Sequence, residues 1–284
     1  MQTPPRLFPD KEGEDQSVFI LLSTSSDSGV CLVSCKTPSY GSMSVYSAVD
    51  SNTVDLATHV AVLLDALFDL PGKVPRAYNG DVKLSRALAD AVAARLGLSV
   101  KTESRYTGAV LTAASLSSDI PRSPLLPQHM VKKVTAEEYG THSELLVTMY
   151  SNMFLEARGQ GVPMPVAQGV VESGVAAGHV WAYFVEGVPI SGAFLGRPTR
   201  GGKSVICVYA RKELRGRGYT QALMDTLCKM LLEEEGLGYL TIFFEEGGSA
   251  GRIYRRVGFG KEGEYVIVDL ALIDENAVED ESNS

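Results

Sequence analysis

The chain is poor in the residues that build metal centres and redox pairs: its 284 residues include four cysteines and four histidines. Cys31, Cys35, Cys207 and Cys228 each sit inside an apolar run and read as reduced core residues. No histidine lies near Cys31 and Cys35, which are four apart, so neither a CxxC redox pair nor a four-ligand zinc site assembles locally. Long apolar runs are missing too. No segment reaches the ~18 consecutive apolar residues of a membrane span, and the opening MQTPPRLFPDKEGEDQ breaks with proline and charge the stretch a signal peptide needs. The expectation is a soluble, cytoplasmic protein with no membrane role. Basic charge is also scarce: 26 Lys and Arg against 34 Asp and Glu give −8, and Asp274, Glu275, Glu279, Asp280 and Glu281 supply five of the acids. Such a body lacks the dense basic face that neutralises nucleic-acid phosphates, so no nucleic-acid partner is expected.

What is present suffices for a sizeable core. With 45% hydrophobic residues and a mean hydropathy of +0.04, the chain is not wholly disordered. Its length is about twice the usual ~100 to 150 residues of a domain, which predicts two units. No exact tandem repeat is visible.

Residues 17–23, 29–34 and 43–48 read as strands. Leu56, Val60, Leu63, Leu64 and Leu67 mark a helix ended by Pro71 and Gly72, and Leu84, Leu88, Val92 and Leu96 mark a second one ended by Gly97. Residues 101–114 read as a returning strand or two. Between Ser115 and Gln128, serines and Pro121, Pro124 and Pro127 hold neither helix nor ladder, so this stretch is the expected linker. Beyond it the patterns predict helices over 136–155 and 166–176, a hairpin of strands 179–184 and 188–195 turning at Glu186-Gly187, and a strand over 204–209. A helix over 218–235, a strand over 239–244, a short helix ending near Val257 and a strand over 265–270 follow. The fold class is therefore α/β with a mixed sheet: a smaller α/β domain over 1–128, a second domain over 129–272, and an acidic, disordered tail over 273–284.

The chemistry concentrates after Lys203. Ser204 to Ala210 runs into Arg211-Lys212-Glu213-Leu214, then Arg215-Gly216-Arg217-Gly218-Tyr219-Thr220, then a helix. A strand, a glycine-bearing turn and a helix N-terminus together make an anion site, because successive N–H groups point at one place and the helix dipole favours negative charge there. Gly216 and Gly218 let backbone approach phosphate oxygens, and Arg215 and Arg217 offer charge-assisted contacts. The same residues also read as a tight turn with two solvated arginines. Neither GxxxxGK followed by Ser or Thr nor GxGxxG with an acid ~20 residues later is present, so triphosphate and dinucleotide loops are excluded.

The form Arg-x-x-Gly-x-(small) resembles the (Gln/Arg)-x-x-Gly-x-(Gly/Ala) motif of the GNAT superfamily of acetyl-CoA-dependent N-acyltransferases. Ser249 to Phe259 is similar to the family's later signature, Ala-x-x-(Leu/Ile)-Tyr-x-x-x-Gly-Phe. The resemblance covers roughly residues 130 to 270. It implies a GNAT fold, acetyl-CoA as co-substrate and a small-molecule or peptide amine as acceptor. It also implies a coenzyme site at Val208, Tyr209, Ala210, Arg215, Gly216, Arg217, Gly218, Tyr219 and Thr220, whose backbone amides hold the pyrophosphate. Val208-Tyr209, Arg215 to Tyr219 and Arg252 to Phe259 further resemble a subgroup with an additional N-terminal domain, for which Thr37-Pro38 and Asn79-Gly80 are candidate marks. Thr220 departs from the motif by adding a branched side chain, whose hydroxyl is a candidate phosphate donor. Gly247 stands where the subgroup has asparagine, and Ser204 where histone-acetylating members carry a glutamate base.

Tyr254 occupies the position to which the family assigns the general acid. A phenol of pKa ~10 beside a thiol of ~8.5 donates or shares its proton as the thiolate leaves; without the flanking motif it reads as a core aromatic beside Ile253 and Phe259. Tyr219 reads as a packing residue. Glu245 and Glu246 follow a strand where two parallel strands should splay, and read either as a base or as solvated acids. His59, His129, His142 and His179 are scattered, and Cys207 and Cys228 sit in predicted core, which argues against a Cys-His-Asp triad. Arg252, Arg255, Arg256 and Lys261 read as a coenzyme 3′-phosphate contact or a solvated face. A non-catalytic acyl-CoA sensor and an aminoacyl-tRNA-dependent transferase are the alternatives; the net charge argues against the second.

Overall fold

A run as apolar as Val180–Val185 forms a strand only where both faces are covered. In the computed structural model, which describes residues 18–23, 31–37, 42–47, 56–69, 74–117, 126, 128–159, 161–245 and 247–274, that condition is met by helices on either side. In chain order the elements are β1 (Val18–Ser23), β2 (Cys31–Thr37), β3 (Ser42–Ser47), α1 (Leu56–Asp69), β4 (Ala77–Asp81), α2 (Val82–Leu96), β5 (Ser99–Leu111) and β6 (His129–Lys133). Then follow α3 (Ala136–Arg158), α4 (Met164–Ala176), β7 (Val180–Val185), β8 (Val188–Gly196), β9 (Gly202–Ala210), α5 (Tyr219–Lys229), β10 (Tyr239–Glu245), α6 (Ala250–Val257) and β11 (Glu264–Ile273). A 3-10 turn at Lys212–Leu214 precedes α5 and a π-helical turn at Met230–Glu234 follows it.

The chain divides into two compact units, Met1–Tyr106 with Val266–Ser284, and Thr107–Tyr265. In the first, the strand order is β1-β2-β3-β4-β11, with β3 and β4 parallel and the other pairs antiparallel. Leu63 and Leu67 of α1 and Leu84, Leu88 and Val92 of α2 pack on Met43, Val45, Tyr78, Val268 and Leu270. Asp81 caps α2 by accepting the Leu84 N–H at 2.9 Å, and Gly97 ends it at φ +66. The strand β4 is not visible in the sequence pattern, because Asn79-Gly80 reads as a turn. Gly80 instead sits inside the strand at φ +130, where a Cβ would lie 2.0 Å from the Val45 carbonyl oxygen, so the glycine permits the close approach of β3.

In the second unit the order is β5-β10-β9-β8-β7-β6, with β9 and β10 parallel. The period of two along β7 sends Val180, Ala182 and Phe184 to one face, against Val134, Leu146 and Val171, and Trp181 and Tyr183 to the other, against Leu223, Leu227 and Phe259. The helices α3 and α4 thus cover one face and α5 and α6 the other. α3 opens with a capping box, Thr135 accepting the Glu138 N–H and Glu138 accepting the Thr135 N–H, and closes at Gly159.

The compact units part between Tyr106 and Thr107 and again between Tyr265 and Val266. Ala109 and Leu111 are fully buried in the second core, so the end of β5 belongs with that unit. The expected linker starts as packed chain: Ser115 is buried and the Ser117 N–H donates to the Val257 carbonyl at 2.9 Å. β6 begins directly after it at His129, and residues 118–125 and 127 lie outside the described residues, as do Pro38, Pro71, Gly72 and the tail from residue 275. The helix expected over 218–235 is α-helical to Lys229 and then widens, the Glu235 N–H reaching the Met230 carbonyl at 2.9 Å.

The Gly-Phe end of α6 is a structural device. Gly258 has φ +122, and a Cβ there would lie 2.1 Å from the Ser115 carbonyl oxygen. Gly258→Ala should lower stability by about 1–3 kcal/mol, read from thermal or denaturant unfolding. Gly159→Ala, at φ +71 with nothing within 4 Å of its Cβ, should lose less. Equal losses would assign the effect to φ and not to the contact.

Candidate active site

Two parallel strands that stop pairing leave a row of backbone donors and acceptors without partners. β9 and β10 are paired from Gly202 with Tyr239 to Val205 with Ile242, after which β9 continues to Ala210 and β10 to Glu245 without further pairing to each other. On its other side β9 carries an extra residue. Gly192 faces Tyr209 and Phe194 faces Ile206, so Cys207 and Val208 together oppose Ala193. Cys207 takes φ +51, the left-handed conformation that glycine usually supplies at such a bulge. The opening therefore has an unpaired strand edge on one side and a bulge at its apex.

At the end of β9 the chain turns through Arg211 to Gly218. The Leu214 N–H donates to the Arg211 carbonyl at 3.0 Å, Gly216 and Gly218 have φ +79 and +82, and α5 starts at Tyr219 with no side-chain cap. The first N–H groups of α5 consequently point off the helix end with the positive end of its dipole behind them. A Cβ at Gly216 would meet nothing within 4 Å, so the space over the turn is open.

Arg215 is directed to protein groups. Its Nε donates to the Ala210 carbonyl at 3.0 Å, and its two terminal nitrogens reach Glu156 of α3 at 3.1 and 2.8 Å. The Tyr209 hydroxyl donates to the same carboxylate at 3.0 Å, and the guanidinium lies 4.9 Å over the Tyr209 ring. Hydrogen bonding from Arg215 holds the Glu156 carboxyl below its ordinary value and the guanidinium above its own, while burial pushes the Tyr209 phenol up. Arg217 is exposed and has no ion pair or hydrogen bond among the described residues. Val208 and Ala210 are half-buried. Between α3 and the turn lies a groove of about 410 Å³, lined by Met149, Asn152, Leu155, Glu156, Tyr209 and Lys212 among others.

Thr220 turns its hydroxyl inward. The Ser191 hydroxyl donates its one proton to the Tyr209 carbonyl at 3.0 Å, so at 3.2 Å it accepts from Thr220. The branched side chain thereby fastens the first turn of α5 to β8. Tyr219 packs as the sequence indicates, 5.1 Å from Tyr183 and 5.9 Å from His129 between ring centroids, and His129 Nδ1 is 2.9 Å from the Tyr183 hydroxyl. This cluster is not legible in the sequence, because it depends on β6, to whose residues the sequence pattern assigns no element.

Tyr254 is 6% exposed, 5.4 Å from Phe244 and 6.4 Å from Phe259 between centroids. Burial pushes its phenol well above the usual range, with Cys207 and Cys228 adding to the shift, so it stays protonated. Cys207 and Cys228 are not in a disulfide, and burial raises the Cys228 thiol. Ser204 is buried, its hydroxyl 2.7 Å from that of Thr241, and bridges β9 to β10 just before they part. Glu245 is exposed; Glu246 lies outside the described residues. Arg255 is held by Glu264 at 2.6 and 2.9 Å, whereas Arg252, Arg256 and Lys261 are exposed. Among the described residues no group of three or more His, Cys, Asp or Glu could hold a metal, and no helix is long and apolar enough to cross a membrane.

The Glu156 carboxyl titrates lower folded than unfolded, so its pairing stabilises the turn above the ordinary Glu range near ~4.3 and is lost as pH falls through the lowered value. With side chains 39% and 35% exposed, the pair contributes no more than about 1 kcal/mol. The stability difference between wild type and Glu156→Gln should be present at pH 7 and vanish in acid, as measured by unfolding across pH. A pH-independent difference would remove the electrostatic role.

Residues 132–259 match the family model described as Acetyltransferase (GNAT) family. No curated protein matches the sequence. Among solved structures, the chain is similar to a GCN5-related N-acetyltransferase from Sphaerobacter thermophilus, with TM-score 0.57 and 14% identity over 91% of this chain and 82% of that one. A GCN5-related N-acetyltransferase from Kribbella flavida gives 0.55 and 15% over 87% and 89%. A tandem GNAT protein from the clavulanic acid biosynthesis pathway gives 0.50 and 13% over 95% and 90%. These identities establish a shared fold. By the family match and by that fold, residues 132–259 form a GNAT acetyltransferase domain, and acyl transfer is the chemistry it supports.

Proposed function

We propose that the protein transfers an acetyl group from acetyl-CoA to a primary amine by direct attack in a ternary complex. The observation that carries this reading is the uncapped N-terminus of α5, reached through Gly216 and Gly218 at the end of a strand whose edge has come free. The coenzyme pyrophosphate sits on the backbone amides from Arg215 to Thr220, where an anion meets both N–H groups and the helix dipole. The free edge of β9 at Val208, Tyr209 and Ala210 offers strand-like hydrogen bonds to the amides of the pantetheine arm. Arg217 adds a solvent-facing cation, while Arg215 acts through Glu156 to hold the turn's shape.

In the transfer, the neutral amine nitrogen bonds to the thioester carbonyl carbon, the carbon–sulfur bond breaks, and the proton that the nitrogen sheds reaches the departing sulfur through Glu245 or water, so that coenzyme A leaves as a thiol. Tyr254 hydrogen-bonds the sulfur as charge develops there. Its raised pKa keeps the proton in place at any working pH, so no alkaline rate loss below pH ~10 arises from its ionisation. The first unit is a degenerate relative of the same fold, lacking the glycine turn. The nearly full-length likeness to the tandem GNAT protein supports this. A non-catalytic acyl-CoA sensor is the second reading, favoured by Ser204, whose bridging hydroxyl stands where a base carboxylate would.

A coenzyme A release assay across small amines, amino acids, polyamines and peptides separates the two readings: release with any amine excludes the sensor. Gly218→Val should abolish acetyl-CoA binding in calorimetry while the protein remains folded; undiminished affinity would remove the turn as the site. Tyr254→Phe should lower kcat by about 10²- to 10⁴-fold at saturating acetyl-CoA with little change in coenzyme affinity. Wild-type turnover where chemistry limits the rate would return Tyr254 to a packing role.

A further inference from the structure

The second unit has a functional-looking face that the transfer chemistry above does not use. Along β10 the side chains alternate: Leu240, Ile242 and Phe244 enter the core, while Thr241, Phe243 and Glu245 face the other way. Thr241 closes the paired part of the strand against Ser204, so Phe243 and Glu245 flank the opening where β9 and β10 part. Beside Phe243 stands Tyr265, edge-to-face at 5.9 Å and 83° and 42% exposed. The Tyr265 ring lies against the bare backbone of Gly108, where a Cβ would come within 2.5 Å of it. Two aromatic rings therefore form a solvent-facing floor that a missing side chain makes possible.

Charges of opposite sign stand at either end of this floor. The Arg197 guanidinium lies 5.3 Å over the Phe243 ring, exposed and with no ion pair or hydrogen bond among the described residues. Arg197 itself takes φ +47, in a turn fastened by Thr199, whose N–H donates to the Gly202 carbonyl at 2.9 Å and whose hydroxyl is 2.8 Å from that of Tyr239. The Glu245 carboxylate, two residues beyond Phe243 or roughly 7 Å along the strand, is likewise exposed and without a side-chain partner among the described residues. A cation and an anion left unpaired across an aromatic floor are complementary to a ligand with a carboxylate at one end and an ammonium at the other.

We propose that this face binds the acceptor, and that the acceptor is an amine whose far end carries a carboxylate, with an apolar or aromatic body lying on Phe243 and Tyr265. The proposal rests on the acetyl-transfer reading and adds the substrate class. Arg197 takes the carboxylate through its planar fork, and Glu245 draws the ammonium to the mouth of the opening, where it must lose a proton before attack. A separation of about one dipeptide between the charges favours short peptides and ω-amino acids over α-amino acids, whose two charges are adjacent.

The test measures coenzyme A release with glycyl-phenylalanine and its C-terminal amide, 6-aminohexanoate and 6-aminohexanamide, and spermidine, with acetyl-CoA binding followed separately by calorimetry. The acid member of each pair should exceed its amide by about tenfold or more in kcat/KM. Arg197→Gln should erase that preference by raising KM for the acids, and Arg197→Lys should restore part of it. Equal turnover of acid and amide, preference for spermidine, or a preference that survives Arg197→Gln would overturn the proposal and leave the transfer reading standing. Absence of turnover with all five amines in a protein that binds acetyl-CoA would overturn both.

Discussion

The parting of β9 from β10 is the constraint on which the rest of the second unit depends. A parallel pair abandoned halfway leaves polar backbone exposed in the middle of a covered sheet, and that arrangement persists only if the neighbouring structure enforces it. Three features do so. The hydroxyl pair of Ser204 and Thr241 fixes the last paired rungs, the bulge at Cys207 rotates the free part of β9, and the Ser191 hydroxyl holds the Tyr209 carbonyl from the β8 side. Each is a polar contact or a backbone geometry that an apolar substitution cannot reproduce.

The same logic explains why the turn's most conspicuous cation is directed inward. Arg215, Glu156 and Tyr209 tie the turn to α3 and to the end of β9, so the backbone N–H groups are presented by a frame already ordered. Preorganised dipoles need no rearrangement when an anion arrives, whereas a free arginine would have to lose rotamer entropy to grip it. Arg217 retains the freedom that Arg215 lacks, and the two arginines of one motif thus have different tasks.

Much of the second unit was legible in the sequence because its elements are locally determined. Pro165 marks the first turn of α4 and Gly159 closes α3, Glu186-Gly187 marks a hairpin, and the apolar periodicity of α5 is unambiguous. β4 and β6 were not, since Asn79-Gly80 carries a turn signal overridden by close packing on Val45, and His129–Lys133 follows a proline-rich stretch and gains its partner only from β7. The extent of the compact units is not legible for a related reason: β5 and β11 each run across the division, and a division inside a strand leaves no mark on local composition. At the candidate site, residue types and spacing single out the glycine turn and Tyr254, the positions on which the proposed function rests. Spacing carries no information on Glu156 and Ser191, which lie far from the motifs in sequence, or on the Phe243–Tyr265 floor, whose rings flank the second motif in the chain and meet only through the fold.

The two departures from the family motif acquire a common meaning in the structure. Thr220 and Ser204 replace, respectively, a small residue and a carboxylate, and both hydroxyls are consumed in strand-to-neighbour bridges. A hydroxyl engaged in such a bridge is a poor base and a poor phosphate donor, since either role would require breaking the bond it already makes. The proposed transfer therefore draws on other positions, with backbone amides for the anion and side chains on the rim of the opening for the proton. Of the described carboxylates on that rim, Glu245 is the one with solvent at hand and no partner to give up. Under the proposed transfer, recognition of the amine and removal of its proton then fall to the same exposed edge of β10, which couples acceptor choice to the strand whose parting creates the opening.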